Sequence, residues 1–297
     1  MGQRPGVTAE ETDVGGLLRL GQRALGGGEN GLLDAQVLLG FAMRATREWL
    51  YAHPEASPGR QASREYRRLV AKRAGTGCPI AYLTGVREFS GLALAMARGV
   101  FIPRPETEGL VGLVESWFEG GNFPRDGAVV VDACCGSGAI GVALACRLGI
   151  RILATDISRE AVKLTGLNAA RHGVGDLVQA LTGSCLDPVK ALSPCPAVRA
   201  VVANPPYVTT AEMAGLPRDI ADFEPPESLC GGEDGLDVIR ILARDSARAL
   251  APGGLLALEI GAGQADAVRD TLSRARFGRV RISKDLAGLP RYARAVK

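Results

Sequence analysis

Apolar residues near the start of the chain recur at helical spacing. Leu17, Leu18 and Leu25 fit one short helix, closed by Gly26, Gly27 and Gly28. The spacing predicts a second helix from near Leu33 to Met43, with Val37, Leu38, Phe41 and Ala42 on one face. Trp49 and Leu50 add apolar bulk, and a charged helix is expected over Ala62–Arg73. No strand pattern interrupts this stretch, so residues 1–76 read as a small helical bundle. Residues 77–105 then read as a connector. Short apolar runs around Gly91 and Gly99 predict a β-hairpin within Glu88–Phe101. Pro103-Arg104-Pro105 forces extended backbone and reads as a hinge. A helix follows from Glu106, with Leu110, Val111, Val114, Trp117 and Phe118 as its apolar side.

From Ala128 the pattern alternates. Strands are expected at 128–133, 150–155, 177–182, 198–203, 254–260, 279–283 and 291–296, and helices at 138–147, 158–172, 236–250 and 263–275. Several strands are continuous apolar runs, such as Val129-Val130-Val131 and Val201-Val202-Ala203. Such runs suit a sheet covered on both faces. The expected fold over 106–297 is a doubly wound, Rossmann-like α/β domain.

Composition changes this picture little. The 297 residues are 46% hydrophobic and 23% charged, the balance of an ordinary globular protein. The net charge of +3 argues against nucleic-acid binding by bulk charge. No apolar run reaches the length of a membrane span. Met1–Gly16 is polar and glycine-rich, unlike a signal peptide, so the cytoplasm is expected. Seven cysteines (78, 134, 135, 146, 185, 195 and 230) form no C-x-x-C pair, so neither a disulfide framework nor a metal site is expected. His53 and His172 read as surface residues near helix ends.

Candidate chemistry begins at the first strand of the alternating region. It runs into Asp132-Ala133-Cys134-Cys135-Gly136-Ser137-Gly138-Ala139-Ile140-Gly141, whose last six residues match G-x-G-x-x-G. Asp156 ends the next strand, where an acid can accept from ribose hydroxyls. The turn points to a nucleoside-containing cofactor without choosing between a dinucleotide and S-adenosylmethionine. The alternative reading of Asp156 is a helix N-cap, since Asp156 and Ser158 both precede a helix, and that role can coexist with binding.

The fourth strand ends in Asn204-Pro205-Pro206-Tyr207, beside the cofactor turn. The prolines stiffen the backbone and remove two donors while leaving carbonyl acceptors. Asn204 adds an amide oxygen and Tyr207 a flat aromatic face. Such a site suits a planar group bearing –NH2. An amide nitrogen is a poor nucleophile because its lone pair is delocalised. Acceptors on both N–H bonds orient it toward an electrophilic methyl, and they strengthen as positive charge develops.

With both motifs present, the chain resembles the release-factor glutamine methyltransferases, the HemK/PrmC family. The resemblance covers nearly the whole chain. It is carried by Pro79 to Gly85 with Glu88-Phe89, by Ile102-Pro103-Arg104-Pro105-Glu106-Thr107-Glu108, and by the glycine turn. Asp156-Ile157-Ser158, Asn168-Ala169, Asn204 to Tyr207 and Phe223-Glu224-Pro225 add to it. So do Gly231 to Leu236, Pro252-Gly253-Gly254, Glu259-Ile260-Gly261 and Lys284 to Gly288. It implies a class I methyltransferase domain, S-adenosylmethionine as cofactor, and as substrate the N5 nitrogen of glutamine in the Gly-Gly-Gln loop of bacterial class-1 release factors.

By the same resemblance, Cys134, Cys135, Gly136, Ser137, Gly138, Asp156, Cys185 and Asn204 would line the cofactor site. Asn204, Pro205, Pro206 and Tyr207 would hold the glutamine amide, with Asn204, Pro205 and Tyr207 catalytic. Phe101 or Ile102 and Arg104-Pro105 would border the pocket, and the helical bundle would grip the release factor. The family usually has glycine where Cys134 stands. Cysteine tolerates positive φ poorly, which predicts a loop that differs or binds more weakly. Ser184 replaces a common acid, and Leu289-Pro290 replaces a polar pair before Arg291.

The nearest rival is a nucleic-acid methyltransferase acting on N6 of adenine or another exocyclic amine. Its phosphate contacts would need a basic tract. Arg64, Arg67, Arg68, Lys72 and Arg73 offer a basic face, read here first as a solvated helix surface. A nicotinamide-dependent oxidoreductase would leave Asn204 to Tyr207 unexplained. A scaffold without activity would leave the amide-holding motif without a purpose.

Overall fold

The computed structural model describes residues 13–121, 127–194 and 197–297. Cys195 and most of the polar amino-terminal stretch lie outside the described residues. The chain divides into two compact units, Met1–Gly85 and Val86–Lys297. The predicted hairpin and the Pro103-Arg104-Pro105 segment therefore both belong to the second unit.

The first unit is helical: α1 (Val14–Ala24), α2 (Gly28–Met43), α3 (Arg47–Ala52), α4 (Gly59–Thr76) and α5 (Ile80–Thr84). Asp13 caps α1, its carboxylate accepting from Gly16 N at 2.6 Å. Helix α2 starts at Gly28, before the point its apolar period marks. Gly28, Glu29 and Asn30 are exposed and so contribute no apolar positions to the pattern. Val14, Leu17, Leu38, Leu39, Leu50 and Leu69 pack around Tyr66. The Tyr66 hydroxyl donates to Leu17 O at 2.9 Å, which satisfies the one polar atom of this buried ring. On the surface of α4, Arg68 pairs with Glu65 at 2.6 Å.

In the second unit, β1 (Val86–Phe89) and β2 (Leu92–Ala95) form the hairpin. Ser90 and Gly91 turn it with φ of +53° and +82°, the double left-handed geometry of a tight two-residue hairpin loop. Pro105–Thr107 form a 3-10 turn leading into α6 (Glu108–Glu119). The main elements that follow are β3 (Val129–Ala133), α7 (Ala139–Leu148), β4 (Arg151–Asp156), α8 (Arg159–Arg171), β5 (Val178–Thr182), α9 (Asp187–Lys190) and β6 (Val198–Ala203). Next are the short helices α10 (Thr210–Met213) and α11 (Arg218–Ala221), then α12 (Asp237–Ala249), β7 (Leu250–Glu259), α13 (Ala265–Arg274), β8 (Gly278–Lys284) and β9 (Pro290–Val296).

The seven strands run in the order β5-β4-β3-β6-β7-β9-β8. The first five are parallel, β9 pairs antiparallel with β7, and the edge strand β8 pairs antiparallel with β9 and so runs in the direction of the first five. Val130, Ile152, Ala200 and Val202 face a core with α6, α7 and α8. Val129, Val131, Leu153 and Val201 face a second core with α12 and α13. Burial on both faces is why these strands read as continuous apolar runs. Strand order reverses on either side of β3, so the carboxyl ends of β3, β4 and β6 open onto one crevice. Among the described residues, no helix is long and apolar enough to cross a membrane.

Candidate active site

A cleft opens at the carboxyl ends of these strands, enclosing about 1040 Å³ counting its mouth. Cys134, Cys135, Gly136 and Ser137 of the glycine turn line it, as do Asp156, Cys185, Asn204 and Pro206. Pro205, Tyr207 and Gly138 are not among its lining residues, although each adjoins one that is. Phe101 and Pro103 form part of the wall, whereas Ile102 is buried. Arg104 stands behind Phe101, 4.8 Å from its ring centroid, and pairs with the buried Glu224 at 2.6 Å.

The glycine turn is held from three sides. Gly138 has φ of +78° and lies so close to Thr165 that an added Cβ would fall 2.8 Å from its methyl group. A Cβ on Gly141 would fall 2.9 Å from both Asp132 Oδ2 and Ile152 Cγ2, so α7 packs on β3 and β4 only without one. Asn168 is fully buried and donates to Ser137 O at 2.9 Å. It also exchanges two bonds with Ala95, which ties the hairpin to the turn. Cys134 adopts φ of +57°. The turn thus follows the left-handed path that glycine would take, and the cysteine bears its strain.

Asp156 ends β4. Its Oδ2 accepts from Gly136 N and its Oδ1 from Ser158 N, both at 2.9 Å. Ser158, rather than Asp156, caps α8, accepting from Ala161 N at 3.2 Å. Burial raises the Asp156 pKa, and the backbone bonds from Ser158 and Gly136 oppose that rise. Each carboxylate oxygen keeps further acceptor capacity for a ligand hydroxyl.

Two family models match the chain, "PrmC N-terminal domain" over residues 16–85 and "Methyltransferase small domain" over residues 121–216. A release factor glutamine methyltransferase of Moorella thermoacetica is 40% identical over 90% of this chain and 92% of its own. One from Clostridium acetobutylicum is 35% identical over 89% of this chain and 90% of its own. The chain belongs to the release factor glutamine methyltransferase family. A 16S rRNA methyltransferase of T. thermophilus, in complex with AdoMet and guanosine, shares the fold. Its TM-score is 0.52 at 20% identity, over 71% of this chain and 49% of that one.

The cofactor of this methyltransferase is S-adenosylmethionine, and the cleft fits it. Asp156 has spare acceptors at the end of β4, and the tight turn brings backbone to the cleft. Cys185, with φ of +45°, lines the same cleft, and Thr155 Oγ1 donates to its carbonyl at 2.6 Å.

Asn204 follows β6. Its Nδ2 donates to Thr107 Oγ1 at 3.1 Å. Thr107 Oγ1 donates to Glu259 Oε2 at 2.7 Å, and the Tyr207 hydroxyl donates to Glu259 Oε1 at 3.2 Å. Burial, then the Glu259 charge, pushes the Tyr207 pKa up to about 12, so the phenol stays protonated. Burial also raises the Glu259 pKa, opposed by Thr107, Arg291 and Tyr207. Thr107 and Glu259 were present in the strings that carried the resemblance, but no sequence signal gave them a role. Thr107 reaches Asn204 across 97 positions and Glu259 across 152. Pro225, from the Phe223-Glu224-Pro225 string, also lines the cleft, as do Glu227, Ser228 and Val238, which belong to no motif.

The two histidines are both helix C-cap residues, with ring nitrogens 3.0 Å and 3.1 Å from backbone carbonyls. The six described cysteines are free thiols.

Proposed function

We propose that this chain transfers a methyl group from S-adenosylmethionine to the N5 amide nitrogen of the glutamine in the Gly-Gly-Gln loop of bacterial class-1 release factors. The observation that carries the reading is the placement of Asn204. It stands at the carboxyl end of β6 on the same cleft as the glycine turn and Asp156. Family membership supports the substrate class.

S-adenosylmethionine supplies a methyl group already activated on a sulfonium. The protein's task is then to hold and orient. Cys134, Cys135, Gly136, Ser137 and Gly138 shape the cofactor turn, Asp156 accepts from ribose hydroxyls, and Cys185 borders the base. The Asn204 amide oxygen and the Pro205 carbonyl accept the two N–H bonds of the glutamine amide. Pro206 stiffens this segment, and the anchored Tyr207 ring gives the planar amide a flat neighbour. These acceptors strengthen as the nitrogen gains positive charge, so they favour the transition state over the bound substrate. The helical unit up to residue 76 contacts the release factor. The reaction belongs to translation termination and places the enzyme in the cytoplasm.

Mass spectrometry of a class-1 release factor after incubation with the protein and S-adenosylmethionine tests this reading. A gain of one methyl group on the Gly-Gly-Gln glutamine is expected. An unmodified glutamine, with cofactor binding measured in the same sample, overturns the substrate. Methylation of RNA or DNA in parallel incubations would move the target to an exocyclic amine.

A further inference from the structure

An asparagine amide has two branches of similar shape and opposite hydrogen-bonding character. Holding a substrate –NH2 requires the oxygen branch toward the cleft. If the nitrogen branch turned inward, two sets of donors would face each other. Something must therefore fix the amide's orientation, and the bond to Thr107, a nearly buried residue on the same cleft wall, does so.

The direction of each bond follows from Glu259. An ionised carboxylate only accepts. Its two oxygens accept hydrogen bonds from the hydroxyls of Thr107 and Tyr207. The single hydroxyl proton of Thr107 is then committed, and only its lone pairs remain for Asn204. Only the NH2 branch can donate to them, as the 3.1 Å contact from Asn204 Nδ2 shows. Thr107 and Glu259 are 2% and 1% exposed, so water does not compete for these bonds.

We infer that Glu259, acting through Thr107, is a positioning residue that turns the amide oxygen of Asn204 toward the cleft. This rests on the reading of Asn204 as the group that holds the substrate amide. Glutamine at position 259 would remove the constraint, because its NH2 can donate to Thr107. The hydroxyl is then free to donate to Asn204, and the amide can reverse. Protonation of Glu259 has the same effect. The other charged and titratable groups facing Glu259 are Tyr207, Arg291, Tyr292 and Glu106.

The test measures kcat, KM for the release factor and cofactor affinity in the full-length protein. The variants are Glu259→Gln, Thr107→Val, Thr107→Ser and Asn204→Ala, with a melting curve for each. The expected result for Glu259→Gln and Thr107→Val is a fall in kcat of about 10–100-fold, typical of groups that orient a contacting residue. Cofactor affinity should fall much less than kcat, because the glycine turn and the Asp156 acceptors are untouched. Thr107→Ser keeps the hydroxyl and should recover most of kcat. The acid limb of the wild-type pH profile should be absent from Glu259→Gln. Wild-type kcat in Glu259→Gln or Thr107→Val, alongside an inactive Asn204→Ala, overturns the inference and leaves the role of Asn204 standing. Wild-type kcat in Asn204→Ala overturns that role itself. If Glu259→Gln fails to fold, the contrast between valine and serine at position 107 decides.

Discussion

Asp132, the last residue but one of β3, lies just before the glycine turn and is 1% exposed. Its Oδ2 accepts from Gly141 N at 2.8 Å, and its Oδ1 has no hydrogen-bond partner. A charge in this position is poorly compensated. Burial raises its pKa from 3.8 to about 7, the Gly141 bond opposes the rise, and the charge on Asp156 adds to it. The folded protein therefore holds a proton on Asp132 that the unfolded chain releases at about 3.8. The associated stability is full below that value and is lost as pH rises from about 4 to about 7. At about 1.4 kcal/mol per pH unit, the difference amounts to about 4 kcal/mol. Asp132→Asn keeps an oxygen for Gly141 and cannot ionise. It should match wild type near pH 4 and exceed it by up to about 4 kcal/mol at pH 8. Urea unfolding of both proteins at intervals across this range measures the difference directly and cancels the other carboxylates. Parallel curves from pH 4 to 8 would refute the reasoning, because they would mean that Asp132 is already ionised in the fold.

Three further substitutions probe the packing. Gly141→Ala places a methyl group 2.9 Å from Asp132 Oδ2 and Ile152 Cγ2, and should lower stability by about 1–3 kcal/mol in thermal melts. An unchanged melting temperature would show that α7 can shift away from the sheet. Tyr66→Phe removes the buried bond to Leu17 O and should cost the helical unit about 1 kcal/mol by denaturant titration, with no change in cofactor affinity. Cys134→Gly should raise stability by about 1 kcal/mol, since φ of +57° strains any side chain. A lower melting temperature there would mean that the thiol's packing outweighs the strain.

The sequence by itself determined the long strands and helices and the two ends of the cleft, but not the short helices α3, α5, α9, α10 and α11. It set the hairpin within 88–101, where the strands are Val86–Phe89 and Leu92–Ala95. Strand and helix periods are local, so β3, β4, β6 and their helices were legible in short windows. The glycine turn and Asn204 to Tyr207 were legible for the same reason, since each motif is contiguous and follows a strand. The start of α2 was not, because an exposed first turn carries no apolar period. The left-handed path of Cys134 was not either. Cysteine disfavours it locally, and only the surrounding packing of Thr165, Asn168 and Asp156 imposes it. The tertiary structure alone joined Thr107, Asn204, Tyr207 and Glu259, drawn from a 3-10 turn, a strand end and a second strand. Hydrogen bonds across 97 and 152 positions leave no periodic trace in a chain. They exist because the order of the sheet brings the ends of β6 and β7 side by side and lays the Pro105–Thr107 turn against them.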